Sequence, residues 1–243
     1  MILLRRRYRP NLPLELAEVL LPVAGDRLEP AARLSPMLVK IWCAERRTKG
    51  LVGKWTDDLT LVSDLTGFPQ LLARLGATTR RHIRRAMDQD GLERVDDWTV
   101  EQIVEFQREH DATNPSLPDP LELNRLHAAG RLTISAAIVA GEVLAVHANI
   151  EDFPRVRFLK GYTKRKRADT SERYSLVGRA NKALHHLDMA AYHERGFTLY
   201  DWGGFSGEPG NGIDHFKLQF LGEVRAQVHF RGVMRPGAPP IAF

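Results

Sequence analysis

The chain has 243 residues, with 35 Lys+Arg against 30 Asp+Glu for a formal net charge of +5, and is 43% hydrophobic and 27% charged. That composition supplies a globular core and excludes collagen-like, disulfide-framework and globally disordered chains. Its single cysteine, Cys43, excludes an intrachain disulfide and a zinc site built on CxxC pairs, and no apolar run reaches the ~18–20 residues that a membrane-spanning helix needs.

The N-terminus, MILLRRRYRP, puts apolar residues ahead of basic ones, the reverse of a secretory signal, so a cytoplasmic, reducing location is expected. Residues 1–66 read as a separate segment or reduced subdomain. Pro10, Pro13, Pro22, Pro30 and Pro36 interrupt any long helix and leave room for a short one over 14–21. Residues 37–42 and 59–64 read as strands, punctuated by Gly50, Gly53 and the Asp57-Asp58 pair.

A main domain is expected over 67–243. Phe68, Leu71, Leu72 and Leu75 share one helical face. After Gly76, a second helix turns Ile83, Ala86 and Met87 inward and leaves Arg80, Arg81, Arg84 and Arg85 outward. Thr99-Val100-Glu101-Gln102 has the form of a capping box, with Ile103, Val104 and Phe106 as core candidates. Asp119-Pro120-Leu121-Glu122 starts another helix and Gly130 ends it, after a polar, proline-bearing loop over 114–118.

Three strand-like runs follow at 131–140, 143–151 and 155–162, and the short turns between them predict an antiparallel meander. A long helix over 171–194 carries Leu176, Val177, Ala180, Leu184, Leu187, Ala191 and Tyr192 inward and stops at Gly196. The strand at 197–202 is reached through this helical crossover, so it is expected to lie parallel to the strand before the helix. A glycine-rich loop over 203–212, a short helix over 213–221 and a strand over 223–233 complete the pattern.

This order of elements resembles the catalytic half of the GNAT N-acyltransferase fold. The resemblance implies an α/β class with a mixed, mostly antiparallel central sheet flanked by helices, in which a parallel strand pair splays apart. The run Leu199-Tyr200-Asp201-Trp202-Gly203-Gly204, followed by Gly212-Ile213-Asp214-His215-Phe216-Lys217 and Phe220-Leu221-Gly222, resembles the C-terminal signature of the FemABX acyltransferases. The Arg-rich run RRHIRRAMDQDG over 80–91 resembles the helix those proteins carry before their catalytic half. The resemblance covers roughly residues 59 to 233. It implies an N-acyltransferase that moves an aminoacyl group from aminoacyl-tRNA, a co-substrate rather than a bound cofactor, to an amine on a small molecule, peptide or cell-wall precursor.

The segment over 163–173 departs from the acetyl-CoA branch of that fold. Those enzymes place a glycine-rich loop before the long helix, whose N-terminal amides cradle a pyrophosphate. Here the segment reads TKRKRADTSER, without glycine, and each Cβ hinders close approach of backbone to phosphate. An acyl-CoA-dependent acetyltransferase with an atypical loop is therefore the second reading, and a non-catalytic RNA-binding protein on the same fold is the third.

For the site, the resemblance implies Lys217 as the group that stabilises charge on the departing ribose oxygen and Phe216 as a stacking platform for the terminal adenine. The alternative is that both residues are structural. Asp201 reads either as a group that orients or deprotonates the incoming amine or as a cap for the following loop. Tyr200, Trp202, Gly203, Gly204 and the mid-strand His147 are candidate substrate contacts, each with a structural alternative in the core or the backbone. Arg80, Arg81, Arg84, Arg85, Lys160, Lys164, Arg165, Lys166 and Arg167 are candidate tRNA contacts. His185 and His186 are adjacent on one helix and point apart, and His110 and His193 have no carboxylate at ligand spacing, so no metal is expected. Cys43 reads as a buried thiol, and Trp55 and Trp98 as lid or acceptor contacts.

Overall fold

A computed structural model describes residues 2–7, 15–20, 22, 27–28, 37–49, 51–110, 120–234 and 241–242. The loop expected over 114–118, the cap at Asp119, and Pro10, Pro13, Pro30 and Pro36 lie outside the described residues. In chain order the first elements are strands β1 (Ile2–Arg7), β2 (Glu15–Leu20), β3 (Arg27–Leu28), β4 (Met37–Ala44) and β5 (Leu51–Asp64). Helices α1 (Phe68–Arg74) and α2 (Ala77–Asp88), strand β6 (Glu93–Val95), and helices α3 (Val100–His110) and α4 (Pro120–Ala128) come next. The meander β7 (Leu132–Val139), β8 (Glu142–Asp152) and β9 (Arg155–Thr163) leads through a 3₁₀ turn at Lys164–Arg167 into α5 (Ser171–Glu194). Strand β10 (Leu199–Gly204), helix α6 (Gly212–Leu218) and strands β11 (Glu223–Met234) and β12 (Ile241–Ala242) follow.

The chain divides into two compact units, one comprising Met1–Thr60, Gly204–Gly207 and Val224–Phe243, the other Leu61–Gly203 and Glu208–Glu223. In the first unit the strand order is β1-β2-β4-β11-β5. The short helix expected over 14–21 is instead β2, which pairs in parallel with β4 from Glu15 opposite Met37 to Leu20 opposite Trp42. Val19 is fully buried by this pairing, so tertiary context decides a segment whose local pattern is ambiguous. β4 alternates Met37, Val39 and Ile41 inward, and these residues form a core with Val19, Leu28, Val228, Phe230 and Met234. Trp55, expected as a lid or acceptor contact, packs against that core with its ring 4.8 Å from Phe230. Cys43 is a buried free thiol.

In the second unit the order is β5-β10-β9-β8-β7-β6. β7, β8 and β9 form the expected antiparallel meander, β10 pairs with β9 in parallel, and β6 adds an antiparallel edge that the sequence pattern does not announce. The β7–β8 turn places Ala140 and Gly141 at φ 50° and 78°, the left-handed pair that a two-residue hairpin requires. The helix α5 spans the residues expected of it, and Thr170 caps it by accepting a hydrogen bond from the Arg173 amide at 3.1 Å. Its Val177, Ala180, Ala183 and Leu184 pack on Ala137, Leu144 and Ala145 of the sheet and on Ala86 of α2. Met87, expected to point inward, is exposed, while Ile83 and Ala86 carry the buried face of α2. The Thr99–Gln102 capping box forms reciprocally, with bonds of 2.8 and 3.2 Å. Trp98, just before α3, lies edge-on to Phe106 of that helix at 6.0 Å.

Gly222 marks one point where the second unit tolerates no extra atom. A Cβ there would lie 2.5 Å from Cγ and 2.6 Å from Cδ2 of Leu61, which is itself fully buried. Gly222→Ala is expected to lower stability by about 1–3 kcal/mol through overpacking, read as a reduced denaturation midpoint at unchanged m-value.

Candidate active site at the strand splay

β9 and β10 pair at only three positions, Leu199 with Arg155, Tyr200 with Val156 and Asp201 with Arg157. Beyond that point β9 carries a register shift against β8, which leaves Leu159 without a partner between Phe158 and Lys160. A bulge of this kind bends and twists its strand. The two parallel strands therefore open into a fork within the second unit.

Aromatic rings line the fork. His185 of α5 is buried, with ring centroids of Phe158, Trp202, Phe216 and Phe220 at 4.8, 4.6, 5.5 and 5.9 Å and His147 stacked at 3.9 Å. Its Nδ1 meets the Tyr200 hydroxyl at 3.2 Å. Burial, with the charges of His147 and Lys217 adding to it, pushes the His185 imidazole well below its ordinary value and keeps it neutral. Phe158 and Phe216 are the half-exposed members of this cluster. Phe158 reaches it because position 161 is glycine: a Cβ there would lie 2.7 Å from Cζ of the ring.

The helix α6 brings Phe216 and Lys217 to the fork. Asn211 caps it by accepting from the amides of Ile213 and Asp214 at 2.9 and 3.2 Å. Lys217 is only 8% exposed, and its charge is felt at the buried imidazole of His185. An ammonium in so dry a setting acts on nearby charge far more strongly than one in water. A half-exposed ring beside a buried ammonium can hold a flat group and offset negative charge developing next to it.

Several residues expected to touch substrate are buried in the walls and base of the fork. Asp201, the expected amine-orienting group, is fully buried. Its Oδ2 accepts from Arg155 Nε at 2.9 Å, from Arg155 Nη2, and from Arg157 Nη1 at 2.6 Å, while Oδ1 accepts from the Gly203 amide at 2.9 Å. With both oxygens engaged, it staples the base of the fork and caps the following turn. Tyr200 and Trp202 are core residues, 0% and 1% exposed, with Tyr200 bonded to Asn149 at 3.4 Å and the Trp202 indole donating to Ser63 at 2.9 Å. His147 is likewise buried, with Nδ1 2.8 Å from Asp188 and Nε2 3.0 Å from Asn181, both on α5. These three side chains have no surface left for a substrate. Gly203 serves geometry, since it adopts φ +77° and a Cβ there would come within 3.3 Å of the Phe158 carbonyl. Gly204 is exposed, with open space where a Cβ would stand.

The basic residues separate by role. Arg80 donates to the Ala73 and Leu75 carbonyls at the end of α1, at 2.7 and 3.4 Å. Arg81, Arg84 and Arg85 are exposed and line a groove along α2 with Arg80, Asp88 and Gln89. Lys164 and Arg173 both bind the carboxylate of Glu142, which their hydrogen bonds hold below the usual carboxylate range, and Arg167 donates to the Glu109 carbonyl at 2.8 Å. Arg165 stacks on Tyr174 at 3.9 Å, and Lys166 is exposed. Lys160 stands level with Ala148, on the sheet face away from α5, where burial lowers its pKa; the structure does not join it to the arginines of α2. Among the described residues no group of three or more His, Cys, Asp or Glu is arranged to hold a metal ion, and none of the described helices is long and apolar enough to cross a membrane.

Sequence reasoning missed His185, Phe158 and Gly161. His185 adjoins the inward Leu184 in the helical pattern, and Phe158 and Gly161 come to one face only because of the bulge, which no pattern in the chain announces.

Among solved structures, FemX superposes with a TM-score of 0.60 at 12% identity, over 94% of this chain and 83% of that one. The chain has the fold of FemX. The C-terminal domain of a putative lysylphosphatidylglycerol synthetase from Agrobacterium fabrum superposes at 0.54 with 14% identity, over 90% of this chain and 77% of that one. L-PGS from Bacillus licheniformis superposes at 0.53 with 12% identity, over 79% and 67% respectively. The resemblance carried by the YDWGG run and the Phe216-Lys217 pair thus meets a structural likeness to FemX over most of the chain. No family model and no curated protein sequence matches it.

Two outcomes are expected at this site. Asp201→Asn leaves two guanidiniums facing a neutral amide in a buried place, and should cost about 3–5 kcal/mol in a denaturant titration. His185, neutral when folded, takes up a proton on unfolding below its ordinary pKa of 6.5. Stability should therefore fall on acidification below that value, by up to about 1.4 kcal/mol per pH unit for this one group. His185→Gln should flatten the stability-versus-pH curve by that amount.

Proposed function

We propose that this protein is an N-acyltransferase that moves an aminoacyl group from aminoacyl-tRNA to an amine acceptor, a small molecule, a peptide or a cell-wall precursor. The observation that carries the reading is the fork between β9 and β10, with the half-exposed ring of Phe216 and the buried ammonium of Lys217 beside it. In this reaction a neutral amine attacks the ester carbonyl, the new C–N bond forms, and the bond to the ribose oxygen breaks. One amine proton ends on that departing oxygen. Lys217 stays protonated and offsets the negative charge that builds on the oxygens of the tetrahedral intermediate, while Phe216 supports the terminal base by stacking. Because Asp201 is committed to Arg155 and Arg157, no step uses it as a base. The acceptor amine must arrive neutral. One structural neighbour is named as a putative lysylphosphatidylglycerol synthetase, which agrees with an aminoacyl donor here.

The acyl-CoA reading meets a specific obstacle. Near the N-terminus of α5, where a pyrophosphate would bind, the protein supplies its own anion: Glu142 occupies Lys164 and Arg173, and Thr170 caps the first turn. A pyrophosphate would have to displace that carboxylate.

The test is direct binding of a pool of charged tRNAs beside calorimetric titration with acetyl-CoA. Binding of charged tRNA without acetyl-CoA is expected; binding of acetyl-CoA alone would sink the proposal. Lys217→Ala should slow transfer at least about tenfold, roughly 1.4 kcal/mol in the barrier, with tRNA binding and a cooperative melt retained. Undiminished transfer by folded Lys217→Ala would remove that residue from the mechanism, and loss of folding would make it structural. A chain that binds charged tRNA but transfers to none of a panel of amines would be an RNA-binding protein on this fold.

A further inference from the structure

The second unit gives counter-ions to its more deeply set cations and leaves others without one. Arg94 binds Asp188, Arg179 binds Asp90 in a two-pronged pair at 2.7 and 3.0 Å, Arg195 binds Glu151, and Lys164 and Arg173 share Glu142. Among the described residues Arg81, Arg84, Lys182 and Arg165 have no carboxylate partner, as is true of Arg74, Arg108 and Arg125 on other helices. What sets Lys182 and Arg165 apart is the company they keep. Lys182 of α5 has its Nζ 3.3 Å from Nδ1 of His82 on α2, and the charge of Arg165 is also felt at Lys182. Arg81 and Arg85 flank His82 along α2. Every charged group shown to act on His82 is a cation: Lys182 and Arg179 from α5, and Arg81 and Arg85 from its own helix. Asp90, just beyond α2, is already held by Arg179 and stands 3.9 Å from Arg85.

We propose that His82 and Lys182 are the centre of a phosphate-binding stripe, running from the α2 groove to Arg165, whose occupant is the phosphodiester backbone of a folded RNA. The inference rests on the tRNA-dependent reading above and names the surface that would hold the body of that RNA. Positive charge gathered around an imidazole, with no carboxylate acting on it, favours the arrival of an anion. Their spread over a helix face, with Arg81 and Arg85 one turn or about 5.4 Å apart, suits a chain of phosphates better than a single one. Lipid is a poorer occupant. Met87 is the one large apolar side chain that α2 exposes, and Asp88 and Gln89 share the groove.

The stripe carries a signature of its own. Burial, with the charges of Lys182, Arg81, Arg179 and Arg85 adding to it, holds His82 below its ordinary pKa, and burial with Arg165 does the same to Lys182. A phosphate between them reverses that balance, so binding draws a proton onto His82 and RNA affinity rises as the pH falls.

The experiment measures fluorescence anisotropy of a labelled, uncharged RNA hairpin with an acceptor-length stem, from pH 5.5 to 8.5 and over a salt series, with thermal melts of every variant. Wild type should bind about threefold or more tightly at pH 6 than at pH 8, and His82→Asn should lose that gain. Lys182→Gln should reduce the slope of log K against log salt by about 0.9. Should Lys182→Gln unfold, Arg165→Gln, at an exposed position, must show the same loss. Hairpin binding in which folded variants keep the wild-type slope and pH profile overturns the stripe and leaves the tRNA reading standing. No hairpin binding by wild type, or Lys182-dependent binding only to phosphatidylglycerol vesicles, overturns the stripe; binding of charged tRNA in the separate donor assay then tells whether the wider reading fails with it.

Discussion

A parallel strand pair that parts after three rungs leaves backbone groups and a wedge of space that the rest of the unit must accommodate. The wedge begins where Asp201 stands between Arg155 and Arg157, and the chain closes that point with charge rather than with apolar packing. A buried carboxylate between two guanidiniums contributes little net stability, because desolvation consumes much of the attraction. It does fix geometry, and it places the parting of the strands at one register. Above the staple, rings of Phe158, Trp202, Phe216, Phe220 and His185 fill the wedge from the bulged β9, from β10, from α5, and from α6 with the turn after it. The opening is thus walled by flat, rigid groups that lose little entropy on being ordered.

The long helix α5 buries several polar groups, and three of them are paired across to other elements. Asp188, with no exposed surface, holds Arg94 of β6 at 2.9 Å and His147 of β8 at 2.8 Å, so one carboxylate ties the sheet edge and its centre to the helix. His185 reaches Tyr200, and Arg179 reaches Asp90 beyond the end of α2. A helix with polar residues on its buried side gives a weak amphipathic signal, yet each of these groups finds a partner, as buried polar groups must. The same allocation leaves Arg81 and Arg84 of α2, with Lys182 and Arg165, lacking carboxylates.

Much of the second unit was legible because its signals are local. The meander reads from alternating runs and tight turns, α5 from its period and stop glycine, and α3 from a capping box that forms atom for atom. The first unit was not legible in this way. Its sheet joins β4 to β11, residues about 190 positions apart, and β2 is a strand only because β4 lies beside it. At the site, the Phe216-Lys217 pair drew attention to two side chains that stand beside the fork, whereas the YDWGG run drew attention to a strand whose side chains are buried. Alternation along β10 separates Tyr200 and Trp202 from Asp201 without saying that both faces are covered. Both sets of residues turned out to be interior. His147 was read as an isolated histidine, whereas its partners Asn181 and Asp188 lie over thirty residues further along. Phe158, Gly161 and His185 come together through one unpaired residue in β9, and a bulge of that kind has no sequence signature here.

The ring of Phe158 lies down across its own strand over a residue that lacks a side chain. The width of the fork is therefore set at position 161, by a residue that itself adds no side chain to the cleft. For a lineage of such proteins this separates two kinds of change. Altering Lys217 or Phe216 changes what the site can do, while a single methyl group at position 161 would stand the aromatic wall up and narrow the opening with the charge arrangement intact. Selectivity for the shape of the entering group can drift at that position independently of the chemistry beside it.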